Sequence, residues 1–294
     1  MRAYPLRFAA AAALALGLAA CTPPDPLPTP GQPTRVPSAA PSVVEPPEPS
    51  SGTVAPGKAS LAIYYVGNDK TRLVLYREFH TLAIDEDSPA PRAKAAVAEM
   101  LRLRSAADRD YSTPWPTSAR VGDVTVDGDT VTVDLTGAAT GSAGAEAAAQ
   151  AVQQLVWTVT AATGKPNVAI TLDGKPAAEL WGHVDISKPQ QRGRAADVLA
   201  AVWLIDPQQG AKVGRTFTVH LAGILFEAQA HLRITKGGEV IADQPVLLGA
   251  GAPAQGSAKL TITLEPGTYV VEAFEISARD GSVQHVDNHT ITVG

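Results

Sequence analysis

The chain has 294 residues, 24 lysines and arginines against 29 aspartates and glutamates, and a formal net charge of −5. That acidic balance, with no dense Lys/Arg cluster, argues against a nucleic-acid partner and against electrostatic attachment to anionic lipid. The single cysteine, Cys21, excludes an internal disulfide, so each domain must rest on its own apolar core, and the length accommodates two of ordinary size.

Residues 1–20 open with Arg2 and Arg7 and continue as an apolar run from Phe8 to Ala20. That run is about thirteen residues, where a bilayer span needs about 20. The order of basic, apolar and small residues is that of a secretory signal. Its end, Leu18-Ala19-Ala20-Cys21, resembles a bacterial lipobox. The resemblance implies cleavage before Cys21, acylation of its thiol, and a lipid-anchored protein on the extracytoplasmic face of the cell membrane. An ordinary signal peptide with a chance cysteine is the alternative. Residues 21–57 read as a Pro-rich disordered tether: 12 of the 24 prolines fall between positions 22 and 57, among Ser, Thr, Ala and Gly. Proline favours extended backbone, and large apolar side chains are too few there for a core.

Residues 58–186 read as one α+β domain. Leu61 to Val66 is β-prone, Gly67-Asn68-Asp69-Lys70 reads as a turn, and Arg72 to Phe79 as the returning strand. Ser88-Pro89 opens a helix, with serine at the N-cap and proline at N1. Ala93, Val97, Met100 and Leu101 then form one apolar stripe. Val124-Thr125-Val126 and Val131 to Leu135 flank Asp127-Gly128-Asp129, a hairpin with alternating valines. A second helix covers about 143–162, with Ser142 at its N-cap and the stripe Val152, Leu155, Val156, Val159; Gly164 and Pro166 stop it. Val168 to Leu172 and Ala177 to Trp181 complete the order ββαββαββ, helices on a mainly antiparallel sheet. The helix, the run Val124 to Leu135, the Ala-rich second helix and Val168 to Gly174 together resemble the GerMN domain of sporulation and germination lipoproteins. Where that family shows Gly-Pro after the first helix, this chain reads Leu101-Arg102-Leu103-Arg104-Ser105. The resemblance implies no catalytic residues.

Residues 187–197 are polar and read as a flexible linker. Residues 198–294 carry seven strand-like runs, near 199–205, 213–221, 226–235, 239–247, 258–264, 268–277 and 284–293. Asp206-Pro207, Gly237-Gly238, Glu265-Pro266-Gly267 and Asp280-Gly281 punctuate them. Seven short strands at such spacing argue for a β-sandwich. Ile205-Asp206-Pro207-Gln208-Gln209-Gly210, Phe226-Glu227-Ala228 opening a central strand, and Ser277 to Gly281 resemble the immunoglobulin-like Gmad2 domain.

Few residues carry chemistry by spacing. Trp115, between Pro114 and Pro116, is the candidate exposed aromatic for a protein or a glycan, unless it pins its own loop. Glu227 and Asp280 are candidates for a shared polar contact or a ligand-binding edge; the plainer expectation gives them a strand edge and a turn. The histidines are scattered, His80 reads as a solvated strand end, and His285 with His289 lacks a completing ligand, so no metal site and no cofactor is expected. There is no G-x-S-x-G elbow and no phosphate-cradling loop. The expected function is therefore a non-enzymatic envelope lipoprotein recognising peptidoglycan or an envelope protein, which the family resemblance links to sporulation, germination or envelope maintenance. The alternatives are a cell-wall-modifying hydrolase and a solute-binding lipoprotein of a transporter.

Overall fold

The computed structural model describes residues 57–70, 72–102, 106–141 and 144–294. The leader, Cys21, the tether up to residue 56 and Ser142 lie outside the described residues. Among the described residues no helix is long and apolar enough to cross a membrane.

Strands β1 (Lys58–Asp69) and β2 (Arg72–Ala83) form an antiparallel hairpin in which Asp69 pairs with Arg72. The expected turn at 67–70 is thus largely strand, and the reversal is confined to the residues after Asp69, with Lys70 at φ 56. Helix α1 (Pro89–Leu101) begins at Ser88 with Pro89 in its first turn, although the Ser88 side chain makes no capping bond. Its stripe is buried as expected: Ala93, Val97, Met100 and Leu101, joined by Ala96. Strands β3 (Arg120–Asp127) and β4 (Thr130–Thr136) follow, closed by Gly128 at φ 55. That conformation is strained for any residue with a Cβ, which is why glycine stands there.

Helix α2 (Ala145–Thr163) takes Gly144 as its N-cap and ends on Gly164 in the left-handed region. It leads to β5 (Asn167–Leu172), which lies parallel to β4. Parallel neighbours need a crossover of this kind, so the otherwise antiparallel first domain carries one βαβ unit. The expected strand over Ala177 to Trp181 is replaced by three two-residue strands: β6 (Lys175–Pro176), which pairs with β5, and β7 (Glu179–Leu180) and β8 (Val184–Asp185), which pair with each other around Trp181 at φ 53.

The polar stretch 187–197 lies against α2. Gln190 bridges to Val168, the Gly193 amide donates to Gln153 Oε1 at 2.8 Å, and Arg192 Nε donates to Thr160 Oγ1 at 2.6 Å. The Arg192 guanidinium also covers the Trp157 ring at 4.4 Å. A short helix, α3 (Ala195–Val198), enters the sandwich.

The second domain has β9 (Val202–Asp206), β10 (Lys212–Val213), β11 (Thr216–Gly223), β12 (Gln229–Lys236), β13 (Glu239–Leu247), β14 (Gly256–Thr263), β15 (Gly267–Ile276) and β16 (Val283–Val293). They form two sheets, ordered β14-β11-β9 and β10-β16-β15-β12-β13. The sandwich core holds Val219, Leu221, Leu232, Ile234 and Val271, with Leu204, Tyr269 and Ile291. On β9 and β11 the alternate residues Trp203, Ile205 and Ala222 belong to the core of the first domain instead. Side chains on a strand alternate between faces, so β9 and the second half of β11 are buried on both sides, while Lys259, Thr261 and Thr263 on β14 are exposed.

Candidate functional site

The sites expected from sequence fall in three places. Trp115 is buried, not exposed, with its ring edge-on to Trp181 at 5.4 Å. Trp181 Nε1 donates to the Ala138 carbonyl at 2.8 Å. Its proline-flanked loop is therefore pinned by an aromatic pair, and the indole offers no outward face to a glycan. His80 is likewise not a solvated strand end: its two ring nitrogens lie 2.8 Å from Glu78 Oε2 and 2.9 Å from Glu99 Oε1.

Phe226 does not open a strand. It sits in the exposed turn before β12 with Glu227 beside it, and Ala228 closes the turn at φ 54. Asp280 organises the turn after β15, its Oδ1 accepting from the Ser282 amide at 3.1 Å and hydroxyl at 2.7 Å, and these bonds hold its carboxyl below the usual range. Among the described residues no hydrogen bond or ion pair joins Glu227 to Asp280. The two turns nevertheless share one end of the sandwich, because His231 on β12 faces Phe274 on the antiparallel β15.

That end is apolar. Phe226 is 88% exposed and Leu247 76%. Leu247 pairs with Gln229 at the start of β12, and Ile276 pairs with Val283 where β15 turns into β16. Ile276, Val283 and Val286 are also exposed. Register brings Leu247, Ile276 and Val283 to one end of the five-stranded sheet, with Phe226 in the turn before β12 and Val286 three residues along β16 from Val283; Glu227, Arg279 and Asp280 lie in the turns at that end. Sequence reasoning missed the pole because it read Phe226 as the opening residue of a central strand, where the structure has a turn.

A second cluster lies on the seam between the domains. Asp108, Asp287 and His289 are buried with their ligating atoms within 4.8 Å of one another. They could hold a metal ion, and spacing could not reveal them because Asp108 comes from the other domain. Each has a protein partner. Asp287 accepts from the Tyr111 hydroxyl and from the Leu204 amide at 2.6 Å. His289 Nδ1 donates to the Pro207 carbonyl at 2.7 Å, and Asp108 Oδ1 accepts from the Asp110 amide at 2.9 Å. Burial pushes the Asp108 carboxyl above its ordinary value. The same seam carries His285 Nδ1 against Asp69 at 2.5 Å and the Phe79 amide donating to Gln208 Oε1 at 3.0 Å. These polar groups fasten one domain to the other.

An α+β module locked through a common core to an immunoglobulin-like sandwich is the class that fold and site define. Residues 62–178 match the family described as Germane, sporulation and spore germination, and residues 201–282 match Gmad2, the immunoglobulin-like domain of bacterial spore germination. Together the matches span well over half of the chain, which belongs to this spore-germination family. The chain is similar to the tandem GerMN domains of the sporulation protein GerM from Bacillus subtilis, at 15% identity over 50% of this chain and 50% of that one, with a TM-score of 0.39. It is also similar to the first GerMN domain of that protein, at 20% identity over 45% of this chain and 98% of that one, TM-score 0.35. Fibronectin(III)-like modules of Clostridium thermocellum CbhA match at 17% identity over 31% of this chain and 93% of theirs, TM-score 0.23. This chain thus spans half the length of the tandem GerM structure. No curated protein matches the sequence.

Proposed function

We propose that this chain is a membrane-tethered, non-enzymatic binding module of the cell envelope, serving sporulation, germination or envelope maintenance, and that it takes a protein partner at the Phe226 pole of its sandwich. The observation that carries the reading is the gathering of Phe226, Leu247, Ile276, Val283 and Val286 in exposed positions at one end. Apolar side chains gathered on a surface and rimmed by polar groups mark interaction sites. The carboxylates of Glu227 and Asp280 in the same turns disfavour an anionic lipid surface and suit a protein with apolar and basic groups. Acylated Cys21 supplies the membrane contact in this reading, and the Pro-rich stretch supplies the reach. A wall hydrolase needs a convergent acid pair or a metal triad; Asp108, Asp287 and His289 are instead buried and engaged with protein partners in the seam.

The test is photo-crosslinking of the full lipoprotein in its own membranes, from a crosslinker at position 226 and from a control position at 188. A discrete protein adduct from 226 that is lost when Leu247→Ser is added supports the reading, with Cys21→Ala moving the protein to the soluble fraction. No adduct from 226, or saturable binding to purified peptidoglycan that Phe226→Ser with Leu247→Ser leaves unchanged, overturns the protein-partner reading. Membrane retention of Cys21→Ala overturns the anchor.

A further inference from the structure

Arg77 is the most anomalous side chain among the described residues. It lies in the middle of β2, is 3% exposed, and none of Nε, Nη1 and Nη2 has a hydrogen-bond acceptor. A guanidinium does not deprotonate in proteins, so burial cannot be relieved by loss of charge. An ionised group taken out of water without a partner is strongly destabilising, and buried charges are in general paired.

Its ring neighbours leave polar atoms of their own unpaired. The guanidinium carbon sits 5.0 Å from the centre of the Phe79 ring and 5.8 Å from that of Trp203. Trp203 is itself buried, and its Nε1–H has no acceptor. Both ring nitrogens of His220, 1% exposed, are also without partners. Register places His220 and Trp203 together: Ala222, two residues along β11 from His220, faces Trp203 on β9. Both belong to the outward face of the small sheet, the face that β2 covers. Burial, then Lys259, then Arg77 push the His220 imidazole down to about 4, so it is neutral near pH 7 and offers one N–H and one lone pair.

We infer that the seam between β2 and the β9–β11 sheet is a binding site for a small oxyanion, held by the Arg77 guanidinium with the indole N–H of Trp203 and an imidazole N–H of His220. The class of ligand is a phosphate, sulfate or carboxylate. The guanidinium fork matches two oxygens of such a group side by side, and the two ring N–H groups would meet the remaining lone pairs. Stacking on Phe79 and Trp203 holds the fork in place but satisfies none of its N–H groups. This site is separate from the Phe226 pole and stands or falls independently of it.

The test uses the full chain in detergent, dialysed exhaustively into chloride buffer. Thermal unfolding is followed while inorganic phosphate, sulfate or acetate is added at constant ionic strength. Ion chromatography of the denatured, dialysed protein reports any oxyanion that stayed bound. The expected result is either about one oxyanion per chain retained, or a saturable rise in Tm of roughly 5–10 °C at about a hundredfold excess over Kd. The three anions ranked by effect separate a phosphate or sulfate ligand from a carboxylate one. Arg77→Met should abolish retention and shift alike. Should that variant fail to fold, Trp203→Phe, which keeps an aromatic six-membered ring but removes the pyrrole half of the indole with its N–H, should weaken the response at least severalfold. Neither retention nor a shift in the native chain overturns the inference, and so does a response that Arg77→Met, or Trp203→Phe in its place, leaves unchanged.

Discussion

His80 shows how a single residue acquires a role that its neighbours in sequence do not announce. Next to Phe79 at the end of an apolar run it resembles a strand terminus. The structure instead places it between Glu78, two residues away, and Glu99, on α1. Glu78 is itself fixed, accepting from the Ala107 and Asp108 amides at 2.8 Å, and Glu99 is bound by Arg102. Burial alone would lower the imidazole pKa, but the two carboxylates outweigh it and the net shift is upward from 6.5. A histidine with a raised folded-state pKa gives stability that is fully present below its unfolded value and is lost as pH rises through the folded one. Urea unfolding of the native chain and of His80→Gln should therefore differ more at pH 6 than at pH 8.5. An equal deficit at both values would show that the ion pairs contribute nothing. The Glu78 contact was within reach of sequence, as a neighbour on one strand face. The Glu99 contact was not, because it depends on how α1 crosses β2.

At the level of elements, α2 does more than bury a stripe. A two-stranded hairpin leaves unpaired backbone groups on its edges, and buried backbone groups need partners. Here polar side chains from the helix supply them. Thr158 Oγ1 accepts from the Tyr64 amide at 3.2 Å and Gln154 Nε2 donates to the Tyr64 carbonyl at 2.9 Å. One turn and two turns earlier, Gln150 Nε2 donates to the Leu73 carbonyl and Glu146 accepts from the Leu73 amide, both at 2.8 Å. The positions 146, 150, 154 and 158 are spaced by four, so the four side chains form one row on the helix. Thr158→Val keeps the volume and removes the acceptor, leaving the buried Tyr64 amide unsatisfied at a cost of about 1–3 kcal/mol. Urea unfolding measures this; a change within about 0.5 kcal/mol, the usual range for inert substitutions, would mean that water reaches the amide. Helices α1 and α2, the central hairpin and all seven major sandwich strands were legible from periodicity and turn residues. The polar row was legible only as helix surface. Its spacing was visible, but nothing local says that the surface faces a strand edge.

The whole molecule is less divisible than its sequence suggests. A composition change at 187–197 and a new strand pattern after it read as two domains joined by a flexible linker. In the structure the small sheet of the sandwich lends Trp203, Ile205, Ala222 and Ile224 to the core of the first domain. Leu75 bridges to Leu199, the Ala200 amide donates to the Leu75 carbonyl at 3.0 Å, and Tyr111 reaches across to Asp287. The apolar residues that make this joint were visible in sequence as ordinary strand positions. Their partners were not, since a strand buried on both faces looks the same whether the second face meets its own domain or another. Domains that share a core lose each other's apolar cover when one unfolds, so their transitions couple. Scanning calorimetry of the full chain should therefore show one transition, with the calorimetric enthalpy close to the van't Hoff value. Asp287→Ala removes the acceptor of Tyr111 and of the Leu204 amide together, and should lower the temperature of that transition by several degrees or split it. Two well-separated transitions in the native chain would mean that the seam does not couple the domains. A linker that only tethers them would leave each with its own melting temperature and make Asp287→Ala visible in the sandwich alone.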